Sequence, residues 1–144
     1  MLAATMIDIT SKTCELKSGF FGTCGAAAAG LCQYCGRPFC ARHGVVLDDD
    51  QQVCARKVCT AKRLDLVRHL EYKAAATERN EAGACGQPGC AAPLGAQCVR
   101  CQVYFCPAHA FGREELVLEN RVRVRRIASL CKHCADRRPL WSQV

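Results

Sequence analysis

Apolar and polar residues alternate most regularly in the second half of the chain. Residues 115–119 (Glu-Leu-Val-Leu-Glu), a turn near Asn120 and residues 121–127 (Arg-Val-Arg-Val-Arg-Arg-Ile) predict a β-hairpin. A period of two puts Val122 and Val124 on one face and Arg121, Arg123 and Arg125 on the other. That basic face is expected to be solvated and partly neutralised by glutamates of the facing strand. The alternative is a basic strip that meets an acidic protein surface or phosphates. Earlier, residues 45–47 and 51–53 flank Asp48-Asp49-Asp50 and read as strand, acidic turn, strand. The three aspartates are a solvated turn rather than a hard-cation site, since no further oxygen ligands stand at defined offsets. Residues 15–22 suggest another hairpin with a glycine turn, and Phe20 and Phe21 are expected to cap a small core, the alternative being an exposed contact. Residues 58–79 contain no Gly or Pro and favour helix, with Leu66, Val67, Leu70 and Ala74 as one apolar stripe. This helix is expected to start at Cys59, pack on what precedes it, act as a semi-rigid connector, and stop at Gly83. His69 reads as a surface or boundary residue. Met6, Ile7 and Ile9 suffice for a short strand or arm.

Cysteine changes the picture. There are 14 in 144 residues, and they fall into a duplicated pattern. Cys32-x2-Cys35-x4-Cys40-x2-His43 has the same ligand types and spacing as Cys98-x2-Cys101-x4-Cys106-x2-His109, and Phe39 and Phe105 precede the third sulfur in each. The full sets are Cys14, Cys24, Cys32, Cys35, Cys40, His43, Cys54, Cys59 and Cys85, Cys90, Cys98, Cys101, Cys106, His109, Cys131, Cys134. Each holds seven Cys and a His at the sixth place. The repeat implies two small domains, each with too little apolar interior to be stable by packing alone. We read residues 1–62 as a first zinc-binding domain, 63–82 as a helical connector and 83–144 as a second zinc-binding domain.

Thiolates with an imidazole select zinc over hard cations, and eight ligands per domain make two closed tetrahedral sites. Four zinc ions are therefore expected, two per domain. An extended chain from Cys101 to Cys106 covers about 16 Å, which carries the two chelating pairs apart and favours interleaving. Cys14, Cys24, Cys40 and His43 then share one ion, and Cys32, Cys35, Cys54 and Cys59 another. The corresponding groups are Cys85, Cys90, Cys106, His109 and Cys98, Cys101, Cys131, Cys134. A sequential grouping of Cys32, Cys35, Cys40 and His43 stays open. Disulfides are disfavoured, because seven thiols per domain leave one unpaired. His133 is expected to point to solvent from its knuckle loop. Trp141, the one Trp, either packs back on its domain or serves as a docking anchor.

The formal charge of +7 overstates basicity. Fourteen thiolates with four divalent ions bring it to about +1. The excess that persists is in the second half, where nine Lys/Arg face four Asp/Glu over residues 84–144. The opening residues do not read as a secretory signal and no apolar run could span a bilayer, so a soluble cytoplasmic protein is expected. No phosphate-binding loop and no His with a vacant metal position suggest catalysis, so no catalytic residue is assigned.

The Phe-Cys-x2-His signature, with C-x7-C-x2-C-x4-C-x2-H in each half, resembles B-box and AN-one-type zinc fingers, small modules with a RING-like layout. The likeness covers residues 14–59 and 85–134. It implies a small zinc-stabilised α+β fold, with two tandem cross-brace (treble-clef or B-box-like) domains joined by a helix. It departs from those families in having Cys at the seventh and eighth places and a wider first pair. Modules of that kind bind proteins, so the expected role is a non-enzymatic interaction adaptor, with Arg121, Arg123, Arg125 and Trp141 as contacts. A RING-like ubiquitin-ligase component and a nucleic-acid-binding protein are the alternatives, and the oligomeric state is open.

Overall fold

Turns and two-residue ladders, rather than extended sheets, dominate wherever cysteines are dense. The computed structural model describes residues 8–143. They fall into two units: one runs to Leu64 and includes Gln143, and the other is Asp65–Ser142.

In the first unit β1 (Lys17–Ser18) pairs with β2 (Gly22–Thr23), β3 (Gly30–Leu31) with β4 (Pro38–Phe39), and β5 (Gly44–Val46) with β6 (Gln52–Cys54), all antiparallel. The β1–β2 turn uses Gly19 at φ 71. At its tip Phe20 and Phe21 are almost fully exposed, so they do not cap the core as expected; Leu16 is the buried residue of this hairpin. The reason is their place in the turn, beyond the paired residues. The acidic turn forms as expected, with Asp50 at φ 61 and Asp49 accepting from the Gln51 backbone N–H. Met6 and Ile7 of the expected N-terminal arm lie outside the described residues. Ile9 sits in a turn closed by the Lys12 N–H to the Ile9 carbonyl.

α1 (Lys57–Glu81) carries Cys59 on its first turn, and from Asp65 onward it belongs to the second unit. The expected apolar stripe is not its packed face: Val67 and Leu70 are exposed. Ala76 and Tyr72 instead join the core of the second unit, against Cys85, Cys98 and Phe105. A small side chain at Ala76 allows close approach there, which hydrophobicity alone does not reveal. The helix ends at Gly83, φ 82, whose N–H reaches the Asn80 carbonyl.

The second unit repeats the plan. β7 (Ala96–Gln97) pairs with β8 (Tyr104–Phe105) as β3 does with β4, placing Phe105 opposite Ala96 where Phe39 stands opposite Gly30. The hydrogen bonds repeat as well. Cys14 N–H to Ala26 and Cys85 N–H to Ala92 are both 2.8 Å, and His43 N–H to Cys40 and His109 N–H to Cys106 are both 2.9 Å. The unit then diverges: β9 (Ala110–Glu119) and β10 (Val122–Cys131) form a ten-residue antiparallel ribbon, followed by α2 (Lys132–Trp141). The strands are longer than the sequence pattern suggests. Asn120 and Arg121 take φ 49 and 66 and make the two-residue turn. Arg121 is therefore a turn residue and not part of the strand face.

Phe39 and Phe105 are wholly buried, each surrounded by cysteines. The Phe39 ring lies so close over Gly44 that a Cβ there would fall 2.2 Å from Cδ2. Gly44→Ala is accordingly expected to destabilise the first unit by about 1–3 kcal/mol, read as a lower chemical-denaturation midpoint at constant metal loading.

Candidate metal centres

The first unit brings Cys14, Cys24, Cys40 and His43 together in one group and Cys32, Cys35, Cys54 and Cys59 in another. The second unit does the same with Cys85, Cys90, Cys106, His109 and with Cys98, Cys101, Cys131, Cys134. In every group the four donor atoms lie within 4.8 Å of one another, so each could hold a metal ion. Ligands one, two, five and six of each set converge, as do three, four, seven and eight. The sequential grouping of Cys32, Cys35, Cys40 and His43 is not formed. β4, like β8, carries the chain away from the preceding C-x2-C knuckle before the third sulfur is reached.

Local backbone chemistry builds the knuckles. In Cys32-x2-Cys35 the Gly36 N–H returns to the Cys32 carbonyl at 2.7 Å, and in Cys98-x2-Cys101 the Gln102 N–H returns to Cys98 at 2.8 Å. Both residues are left-handed, φ 70 and 63. Glycine takes that conformation freely, whereas Gln102 does so against its own Cβ. The last pair of the second unit is set by α2: Cys131 is its N-cap and accepts from the Cys134 N–H at 3.4 Å. The loop that carries Cys85 is anchored to α1, where Arg79 donates to the Gly86 carbonyl at 2.9 Å. Asn80 donates to the Ala84 and Tyr104 carbonyls and accepts from the Tyr104 N–H at 2.7 Å.

The donor spacing separates two chemistries, a disulfide and a shared ion. All 14 cysteines are free. Cys24 and Cys40 sulfurs are 3.7 Å apart, Cys35 and Cys54 3.7 Å, Cys90 and Cys106 3.9 Å, Cys101 and Cys131 3.9 Å. Nδ1 of His43 is 3.5 Å from both Cys14 and Cys40, and Nδ1 of His109 is 3.6 Å from Cys85 and 3.3 Å from Cys106. A disulfide needs about 2.05 Å. A tetrahedron of sulfurs about 2.3 Å from a central first-row ion has edges of about 3.8 Å, slightly less where nitrogen replaces sulfur. The observed edges match the tetrahedron.

Four thiols so close cannot all ionise without a cation between them. Hydrogen bonds from the thiols of Cys101, Cys131 and Cys134 hold Cys98 far below the ordinary thiol range. Contact with Cys131 pushes Cys101 well above that range, and contact with Cys101 does the same to Cys134. In the first unit burial raises Cys32, but backbone N–H donors, Cys54 first, bring it to about 7. Burial pushes Cys54 up to about 11 and Cys59 higher still.

Other residues singled out by sequence have different places. His133 does not point to solvent: it stacks on Tyr72 at 3.8 Å, and its Nε2 is 3.0 Å from Nδ1 of His69. Neither histidine belongs to a donor group. Tyr72 reaches toward the Cys131 sulfur at 4.0 Å, an outer contact that no sequence signal marks. Trp141 packs back on its own unit, its Nε1 donating to Asp65 at 2.6 Å with Arg137 over the ring. Glu115 is buried and paired with Arg100 at 3.1 Å. Glu115 does not neutralise the arginine strip, but Glu114 of the facing strand does so in part, as expected, at 3.5 Å from Arg125; the direct cross-strand partners of Arg123 and Arg125 are Leu118 and Leu116. No family profile, curated protein or solved structure matches the chain.

Metal loading must displace the protons that Cys54, Cys59, Cys101 and Cys134 hold, so occupancy rises with pH and falls on acidification. Loaded protein taken stepwise from neutral pH to about pH 4 is expected to surrender its ions, read with a chromophoric metal indicator.

Proposed function

We propose that the chain is a zinc-binding protein-interaction adaptor, built from two duplicated modules of the cross-brace, B-box-like kind with two zinc ions each. The observation that carries it is that each of four groups brings four protein donor atoms within 4.8 Å of one another, with sulfur–sulfur edges of 3.7–3.9 Å that suit a tetrahedral ion. A closed tetrahedron leaves no position for water or substrate, so such zinc stabilises a fold and does not act as a Lewis acid. Thiolates and one imidazole favour zinc over calcium or magnesium, which take oxygen donors. Free cysteines in this number suit a reducing compartment, and the proposed location is the cytoplasm. No described helix is long and apolar enough to cross a membrane.

A non-enzymatic role follows from the same chemistry: the thiols that could serve as nucleophiles are the metal ligands. A protein partner is favoured over nucleic acid because metal loading brings the net charge near zero. The exposed Phe20 and Phe21 pair and the β9–β10 ribbon offer contact surface.

Native mass spectrometry of protein expressed in zinc-containing medium is expected to give four zinc ions per chain. Cys98→Ser should lose the ion of its own group, because a serine hydroxyl is not ionised at neutral pH. Loading with two ions or none, or an unchanged count in the variant, would contradict the reading.

A further inference from the structure

The β9–β10 ribbon is two strands wide, so both of its edges carry backbone groups that the ribbon does not use. The two-residue turn makes Glu119 and Val122 a hydrogen-bonded pair, and bonding then alternates along the ladder. Arg123, Arg125, Ile127 and Ser129 of β10 therefore direct their N–H and C=O groups outward. At Ser129 this edge is in use, its carbonyl accepting from the Val99 N–H at 3.0 Å. Among the described residues no backbone bond from outside the ribbon reaches residues 122–127.

The side chains beside that edge are mixed in a consistent way. Arg123, Arg125 and Ile127 share a face with their cross-strand partners Leu118, Leu116 and Glu114. Leu116, Leu118 and Ile127 are 62%, 70% and 76% exposed. Arg125 is 3.5 Å from Glu114, whereas among the described residues Arg123 has no carboxylate partner. Arg126, on the opposite face, is held bidentately by Glu119. Residues 122–127 contain three arginines and no acid, while β9 carries Glu114, Glu115 and Glu119. The two edges thus differ in sign, and the β10 edge is the basic one.

We propose, resting on the adaptor reading above, that the β10 edge at residues 122–127 takes an extended, acidic and aliphatic segment of a partner protein as a third strand. Main-chain bonds to Arg123, Arg125 and Ile127 supply affinity, and side chains select the sequence. Acids in register with Arg123 and Arg125, and an aliphatic residue beside Ile127, are the favourable cross-strand neighbours. A second copy pairing β10 to β10 would set arginine against arginine. The chain's own residues 1–7 contain no acid. Nucleic acid is disfavoured because no aromatic for base stacking lies between Gly112 and Cys131.

The test selects a displayed library of random peptides against the zinc-loaded full chain, then measures the synthesised winner by fluorescence anisotropy. Enriched peptides should alternate Asp or Glu with Val, Ile or Leu. Affinity should fall at least tenfold for Arg123→Glu with Arg125→Glu. An equal fall is expected on unaltered protein when alternate amides of the peptide are N-methylated, which removes strand bonds without any risk to the fold. Zinc content of the variant is checked alongside. Peptides that bind equally well in both controls would overturn the edge and leave the adaptor reading intact. A library that yields no binder would remove both. A dimer in sedimentation, or oligonucleotide binding, abolished by the same two substitutions would replace the proposed occupant.

Discussion

Four donors converging on a space the size of one ion is the constraint from which the remaining structure follows. In each unit the buried apolar side chains are few: Phe39, Val53 and Leu16 in the first, and Phe105, Val103 and Leu130 in the second, with cysteines making up most of the rest. Burying such a side chain contributes about 1.5–3 kcal/mol. A structural zinc site supplies an apparent 10–16 kcal/mol at neutral pH, roughly the whole stability of an ordinary domain. With an ion in each group the metal contribution would be the larger, and the ladders of two or three residues are long enough only to bring ligand pairs into register. Gly44 and the wholly buried phenylalanines fit the same picture, because the small core leaves no room for a Cβ beside the Phe39 ring.

Much of this was legible in the chain, and for a physical reason. Metal ligands are chemically distinctive and their knuckle spacing is set by backbone geometry, so the duplicated C-x2-C-x4-C-x2-H string exposes both the sites and the repeat. The reach of an extended segment between Cys101 and Cys106 is enough to suggest interleaving. The acidic turn at Asp48 to Asp50 and the hairpin around Asn120 carry local signals of the same directness.

What was not legible depends on packing between elements. The stripe Leu66, Val67, Leu70, Ala74 has helical spacing, yet the helix turns Ala76 and Tyr72 to the core, a choice of face made by tertiary packing that periodicity alone does not carry. Phe20 and Phe21 look like core residues by composition and stand exposed by position. His133 reads as a loop residue in the sequence, but it stands in the first turn of α2 and stacks on Tyr72 of α1. The arginine alternation is visible in the chain, but the residues directly opposite Arg123 and Arg125 are leucines, with Glu114 reached diagonally by Arg125, since register depends on a turn of two residues at 120 and 121. α2 carries no strong apolar period and begins instead at the capping sulfur of Cys131.

The divergence of the two units after their sixth ligand shows where a duplicated scaffold is free to vary. Between His43 and Cys54 the first unit spends three-residue strands; between His109 and Cys131 the second grows a ribbon of ten-residue strands. Neither insertion disturbs the donor groups. The central claim is that metal, not apolar burial, holds each unit folded. It is tested most directly by recording the backbone amide NMR spectrum of the full chain before and after removal of metal with a tight chelator under reducing conditions. Collapse of dispersed resonances from both units, restored by adding zinc, is the result expected; a dispersed spectrum that persists in metal-free protein would contradict the account.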